Sequence, residues 1–452
     1  MIFAVPLAWF QLTYEKSRLA VAIAGIMFAV ILIFMQLGFQ DALFTSAIRL
    51  HTNLKGDVVL ISPQSTNLVG MRNFPQRRMY QALGYEGVEA INELYIGLAA
   101  WKVKDDPAGQ TRNILVLGAD PDSNIFKMPG VKENMAQTKV QDVILFDRAS
   151  RNEFGAIVEE CGVSKAQELK YTPEGFTCNK SVTREVANRT VTVGGLFELG
   201  SSFAADGAII TSQTNFLRIF DNRRAGLINV GLITLKPNAS AEEMIMQYVQ
   251  SFESKEVILP AVSGITVDGD RVRYADPEKK DRFIIAKSRL TLDDIKKTRS
   301  VAIDDIKILT REGFIDFERS YWQKSTSIGF IFSLGTVMGF FVGIVIVYQI
   351  LYTDVSDHMA EYATLKAMGY SNWYLAFVVI QEALALSILG FIPGFIACVG
   401  LYALTKNATR LPLDMTVERG LQVLLLTIVM CTISGAISLR KVQSADPAEI
   451  FG

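Results

Sequence analysis

The sequence predicts an α+β membrane protein with four transmembrane helices and a large mixed α/β extracytoplasmic domain between the first and second. Three observations carry this. Residues 19–39, 328–351, 374–404 and 421–439 are long apolar runs that contain one charge between them, Glu382. About 20 residues at roughly 1.5 Å each cross a hydrocarbon core of about 30 Å. No such run occurs from Gln40 to about Gln323, where short alternating segments read as strands and helices instead. Half of the residues are apolar and mean hydropathy is +0.26, above the usual soluble range.

In chain order, residues 1–17 place Phe3, Leu7, Phe10 and Tyr14 at helical spacing beside Trp9, with Gln11, Glu15 and Lys16 on other faces. That pattern suits an amphipathic helix lying in the cytoplasmic interface. Residues 18–42 form the first span; they are too long for a signal-peptide core and show no small-residue cleavage site. Lys16 and Arg18 precede the first span, and Arg440 and Lys441 follow the last. The positive-inside tendency therefore puts both termini in the cytoplasm and residues 43–323 outside.

In that outer domain, residues 56–62, 95–103, 113–117, 190–193, 208–211 and 230–236 read as strands, 76–94 as a broken helical segment and 212–220 as a helix. Pro237 ends a strand, and Ser240-Ala-Glu-Glu opens a helix to Phe252 with a capping box. Asp268-Gly269 between apolar alternations signals a hairpin. Cys161 and Cys178 are able to close a loop of about 17 residues in an oxidising compartment, two free thiols being the alternative.

Residues 311–323, with Phe314, Phe317 and Tyr321 on one face, are expected to continue unbroken into the second span, 324–352. That span carries Gly335, Gly339 and Gly343, a tandem small-xxx-small face for close helix contact. The loop 353–373 holds one short helix that must lie flat. Met359, Tyr362, Ala363 and Leu365 are its apolar residues, Asp357, Glu361 and Lys366 its polar ones, and Gly369 its left-handed cap. A third span, 374–404, is expected to break at Pro393-Gly394; a short outer loop, 405–419, a fourth span, 420–439, and a cytoplasmic tail, 440–452, follow. Glu382 is costly against lipid and so faces protein or water, in a packing or interface role, a proton relay being the alternative. Trp9, Trp322 and Trp373 fall at span ends as an aromatic belt, and Cys398 and Cys431 fill space inside spans.

Catalysis finds no support. The net charge of -1, without a basic stripe interleaved with aromatics, argues against nucleic acid. His51 and His358 stand outside any ligand cluster, so no metal or cofactor is expected. Gly-Lys never occurs, which removes the phosphate-binding G-x-x-x-x-G-K-[ST] loop; any ATP hydrolysis belongs to another chain.

The segment E-Y-A-T-L-K-A-M-G-Y-S, residues 361–371, resembles the cytoplasmic loop of FtsX/MacB-type ABC permeases, and the DevC-type permease in particular. Residues 1–44 resemble DevC-type chains through most of their length, and S-A-D-P-A-E-I-F at 444–451 matches the family's Asp-Pro-x-Glu ending. The strand and helix order outside is similar to the MacB-type periplasmic core domain. Residues 261–303 have no recognisable counterpart, and read as a partner surface or as a decorated loop.

The resemblance implies a bacterial inner-membrane homodimer that works by mechanotransmission with a separate ABC ATPase, a membrane-fusion adaptor and a TolC-like outer-membrane channel, exporting a lipid or glycolipid cargo. It also implies a coupling helix in which Glu361, Tyr362, Thr364, Leu365, Lys366, Met368 and Gly369 meet the ATPase. Leu365 and Met368 would insert, with Glu361 and Lys366 at the rim. The alternative is an FtsX-like regulator that transmits conformation to an extracellular cell-wall hydrolase.

Overall fold

The computed structural model describes residues 5–103, 110–164, 172–202, 205–261, 272–274, 281–409 and 411–443. The chain divides into two units, Phe44–Ser325 and the combination of Met1–Leu43 with Thr326–Gly452.

Phe44–Ser325 is built on one large sheet. Its strands in chain order are β1 (Val58–Ile61), β2 (Phe74–Pro75), β3 (Val88–Lys102), β4 (Thr111–Ala119), β5 (Val143–Asp147), β6 (Thr177–Val186), β7 (Arg189–Phe197) and β8 (Ala208–Ser212). There follow β9 (Leu227–Ile228), β10 (Val230–Leu235), β11 (Glu256–Pro260), β12 (Val272–Tyr274), β13 (Arg282–Ala286), β14 (Ser300–Ile303) and β15 (Ile306–Thr310). Thirteen of them run in the order β12-β13-β11-β14-β15-β1-β10-β3-β4-β8-β5-β7-β6, and β2 pairs with β9 apart. β4 with β8 and β5 with β7 are parallel. Side chains alternate across a strand, and β1 shows the result: Val58 and Leu60 enter one core with Trp101 and Tyr248, while Val59 and Ile61 enter another with Leu117 and Phe314. Both faces of the sheet are therefore buried at its middle.

Three readings of this region need correction. Residues 88–94 belong to the long strand β3 and not to a helix, because they pair in antiparallel register with β10. Ser240 caps the helix Ala241–Gln250 by accepting the Glu243 N–H while its hydroxyl donates to Glu242, and the reciprocal half of a capping box, the Ser240 backbone N–H on the Glu243 carboxylate, is not seen among the described residues. Residues 281–303 are no decorated loop: β13 pairs with β11, β14 pairs with β11 and β15, and Ile285, Ile295, Val301 and Ile303 lie in the core. The Asp268-Gly269 turn lies outside the described residues.

In the other unit, among the described residues, a helix at Val5–Tyr14 precedes four helices long and apolar enough to cross a bilayer: Lys16–Ala47, Ser327–Asp357, Asn372–Thr409 and Val417–Gln443, the last over Val417–Ser438, called spans one to four here. Ile26, Val30 and Phe34 of span one, Val347 and Leu351 of span two, Leu386 of span three, and Val423 and Met430 of span four form their shared core.

Two helix boundaries differ from expectation. The helix Arg311–Ser320 ends in a π-helical turn, Tyr321–Ser325, and Thr326 is extended (φ −119°, ψ 152°), so the chain breaks before span two. Span three runs through Pro393 without a break, as spanning helices tolerate. Gly394 there admits Val30, whose Cγ1 would stand 2.8 Å from an added Cβ, and Gly390 admits Ile26 in the same way.

Candidate functional site

The loop between spans two and three is a helix with two unlike faces. Span two ends at Asp357, His358 turns the chain (φ −90°, ψ 13°), and Met359–Ala367 forms the short helix. Gly369 (φ +92°) closes it: its N–H bonds the Lys366 carbonyl at 3.0 Å and the Tyr370 N–H bonds the Leu365 carbonyl at 3.1 Å. This is the paired arrangement of a Schellman cap. Nothing lies within 4 Å of where a Cβ would stand on Gly369, so backbone conformation and not space calls for glycine there.

The inner face is committed to the spans. Tyr362 and Ala363 are fully buried, and Met359 and Leu365 pack against Val355, Leu375, Val378 and Val379. The Tyr362 hydroxyl donates to Glu382 Oε1 at 3.4 Å, tying the short helix to span three. Burial pushes the Tyr362 phenol above its ordinary range, so it stays a donor. Glu382 is itself fully buried, and its Oε2 has no hydrogen-bond partner among the described residues.

The outer face is open. Ala360, Glu361, Thr364, Ala367 and Met368 are exposed at helical spacing, and the exposed residues 369–373 continue the surface. Met368 is 63% exposed and Trp373 83%, and with the exposed Tyr370 they are the large apolar groups on offer to a partner. Leu365, expected to insert into a partner, packs inward instead, because its position falls on the side of the helix that meets Tyr362 and span three. Lys366 is half-buried rather than at an open rim. Glu361, Thr364, Met368 and Gly369 do share the exposed side.

Elsewhere, the three glycines of span two face neighbours in their own unit. A Cβ on Gly335 would collide with the Gln36 amide and one on Gly343 with the Met430 sulfur, whereas one on Gly339 would rest 3.8 Å from Ile33. Cys161 and Cys178 are joined as a disulfide with Cα atoms 4.4 Å apart, while Cys398 and Cys431 are free and buried. Trp322, read as belt, donates to Glu318 Oε1 at 2.8 Å. Glu318 also accepts the Leu68 N–H at 2.7 Å and lies 3.6 Å from His51 Nε2. Burial lowers His51 to about 3 and raises Glu318 to about 7, the latter opposed by its two hydrogen bonds.

The Tyr362–Glu382 tie and the inward turn of Leu365 escaped sequence reasoning. Amphipathic spacing separates apolar from polar residues but does not say which of them a neighbouring span will cover. A signal existed only in Glu382 being the one charge in its run.

Residues 333–447, from early in span two through the loop to the tail, match the family described as FtsX-like permease C-terminal. No curated protein matches the chain. Three solved structures are similar in part. The extracellular domain of the noncanonic ABC-type transporter YknZ from Gram-positive bacteria is 9% identical, covering 43% of this chain and 91% of its own at a TM-score of 0.28. The periplasmic region of MacB from Actinobacillus actinomycetemcomitans is 10% identical, covering 56% and 96% at 0.28. A domain of a putative permease protein from Porphyromonas gingivalis is 14% identical, covering 45% and 83% at 0.26. The chain thus combines a stretch, residues 333–447, that is similar to the FtsX-like permease C-terminal family with four helices, among the described residues, long and apolar enough to make it a multi-pass membrane protein.

Proposed function

We propose that the chain is the non-catalytic permease subunit of an ABC-type exporter in the bacterial inner membrane, working by mechanotransmission with a separate ATPase. The observation that carries this reading is the two-faced loop helix. Its inner face is packed on spans two and three, and its outer face presents Met368 beside Glu361 and Thr364. A helix so held passes a push on its outer face to the spans. The match of residues 333–447 to the FtsX-like permease family supports the same reading.

In the full scheme the chain is a homodimer with cytoplasmic termini. ATP-driven closure moves the loop and spans, and Phe44–Ser325 changes shape to drive an amphiphilic, glycolipid-like cargo through a membrane-fusion adaptor and a TolC-like outer-membrane channel. The DevC-like stretches in the sequence support this finer assignment. Buried apolar anchors carry more binding energy than rim charges, so Met368→Asp should abolish capture of the ATPase in a pull-down while Lys366→Ala weakens it slightly. Full capture by Met368→Asp in a folded protein would refute the docking role.

A further inference from the structure

We propose that the cavity where the start of span one meets the end of span two binds an amphiphile with a primary ammonium headgroup. The cavity holds about 380 Å³, inside the range of about 300–1,000 Å³ common for small-molecule sites. Ala22, Ile350 and Leu386 give it apolar walls, and Glu15, Arg18, Asp354 and His358 a polar side. A lining of this kind suits a ligand with a tail and a polar head.

The charges decide which head. Arg18 is already engaged by two carboxylates: its Nε lies 2.6 Å from Glu15 Oε2, and a terminal nitrogen bonds Asp357. Asp354 gains little from His358, whose Nδ1 is 3.7 Å from Asp354 Oδ1 but 3.0 Å from the Asp354 backbone oxygen. Asp354 Oδ2 is buried without a hydrogen-bond partner among the described residues. Of the groups lining the cavity, Glu15 thus shares Arg18 with Asp357 outside it, and Asp354 is left with His358 at 3.7 Å and an orphan acceptor. A primary ammonium supplies both the missing positive charge and the missing N–H donors; a quaternary ammonium supplies only the charge. Among the described residues no group of three or more His, Cys, Asp or Glu side chains is arranged to hold a metal ion. His358 is also the turn between span two and the loop helix, so an occupied cavity touches the hinge of that helix. The proposal needs no second chain and stands or falls apart from ATPase docking.

The test reconstitutes the full chain in phosphatidylcholine vesicles with a trace of phosphatidylethanolamine carrying a photoactivatable acyl chain, and maps the labelled peptides. Label should concentrate in residues 12–22 and 349–358, which line the cavity. A charge-assisted hydrogen bond lost in Asp354→Asn should lower it about tenfold. Thr353→Trp places bulk at an exposed lining position and should lower it without disturbing the core. Displacement of the label by saturating octylamine would support an ammonium site, and no displacement would count against it. Equal labelling of these peptides by a phosphatidylcholine that carries the same photoactivatable acyl chain would overturn the proposal. So would unchanged labelling in both variants, or label spread evenly over all four spans.

Discussion

Two fully buried glutamates, one in each unit, are accommodated in opposite ways. Glu318 accepts two N–H groups at 2.7 and 2.8 Å, from Leu68 and Trp322, and faces a buried histidine. Glu382 has a single hydroxyl donor at 3.4 Å, from Tyr362, and one oxygen without a partner among the described residues. Buried polar groups are almost always satisfied, so the shortfall at Glu382 calls for an explanation. It sits where the loop helix is tied to span three. An acid held by several donors fixes one arrangement of its surroundings. One held by a single long hydrogen bond is a joint that costs little to shift.

The largest effect expected from this contrast is that of Glu318→Ala, which strands the buried Leu68 N–H and the part-buried Trp322 N–H and should cost about 3 to 4 kcal/mol of stability in chemical denaturation of the full chain in detergent. Wild-type stability in that variant would end the contrast. Next comes pH. His51 is lowered from 6.5 to about 3, so the unfolded chain takes up a proton that the folded one refuses, and stability is lost as pH falls through that window. Glu318 is raised from 4.5 to about 7 and acts oppositely, stability being lost as pH rises through that window. The slopes oppose each other from 4.5 to 6.5 and the profile should be level there. His51→Phe uncovers the glutamate slope alone, on the order of 3 kcal/mol between pH 4.5 and 7; a level profile in that variant would contradict the assignment. Smallest is the joint itself. Tyr362→Phe should loosen Met359–Ala367 by about 1 kcal/mol in hydrogen exchange, whereas Glu382→Gln keeps an acceptor and should leave exchange unchanged or slower. Unaltered exchange in Tyr362→Phe would mean that apolar packing alone holds the helix.

Much of this architecture is legible in the sequence because its signals are local. The four apolar runs, the short helix and Gly369 as its cap follow from composition and from one residue's conformational freedom. What was not legible depends on neighbours distant in sequence. Val88, Ile91 and Leu94 have helical spacing, yet pairing with β10 makes them strand. Gly335 and Gly343 announce close contact without saying with what, and Gly390 and Gly394, which receive Ile26 and Val30, were hidden beside a proline expected to break the helix. The polar stretch 324–327, by contrast, did hold a readable break: Thr326 precedes span two in the place of an N-cap.

The central claim is that the outer face of the loop helix meets the ATPase while its inner face meets the spans, and site-specific crosslinking in native membranes tests it most directly. Cys398 and Cys431 are buried, so a photocrosslinker with one thiol-reactive end should attach to an introduced cysteine and, on illumination, insert into whatever chain lies against it, with no thiol needed there. Met368→Cys is expected to give a covalent adduct with the ATPase, and Ala363→Cys, on the buried face, to give none. No ATPase adduct from cysteine at Glu361, Thr364 or Met368, or an equal yield from Ala363→Cys, would contradict it.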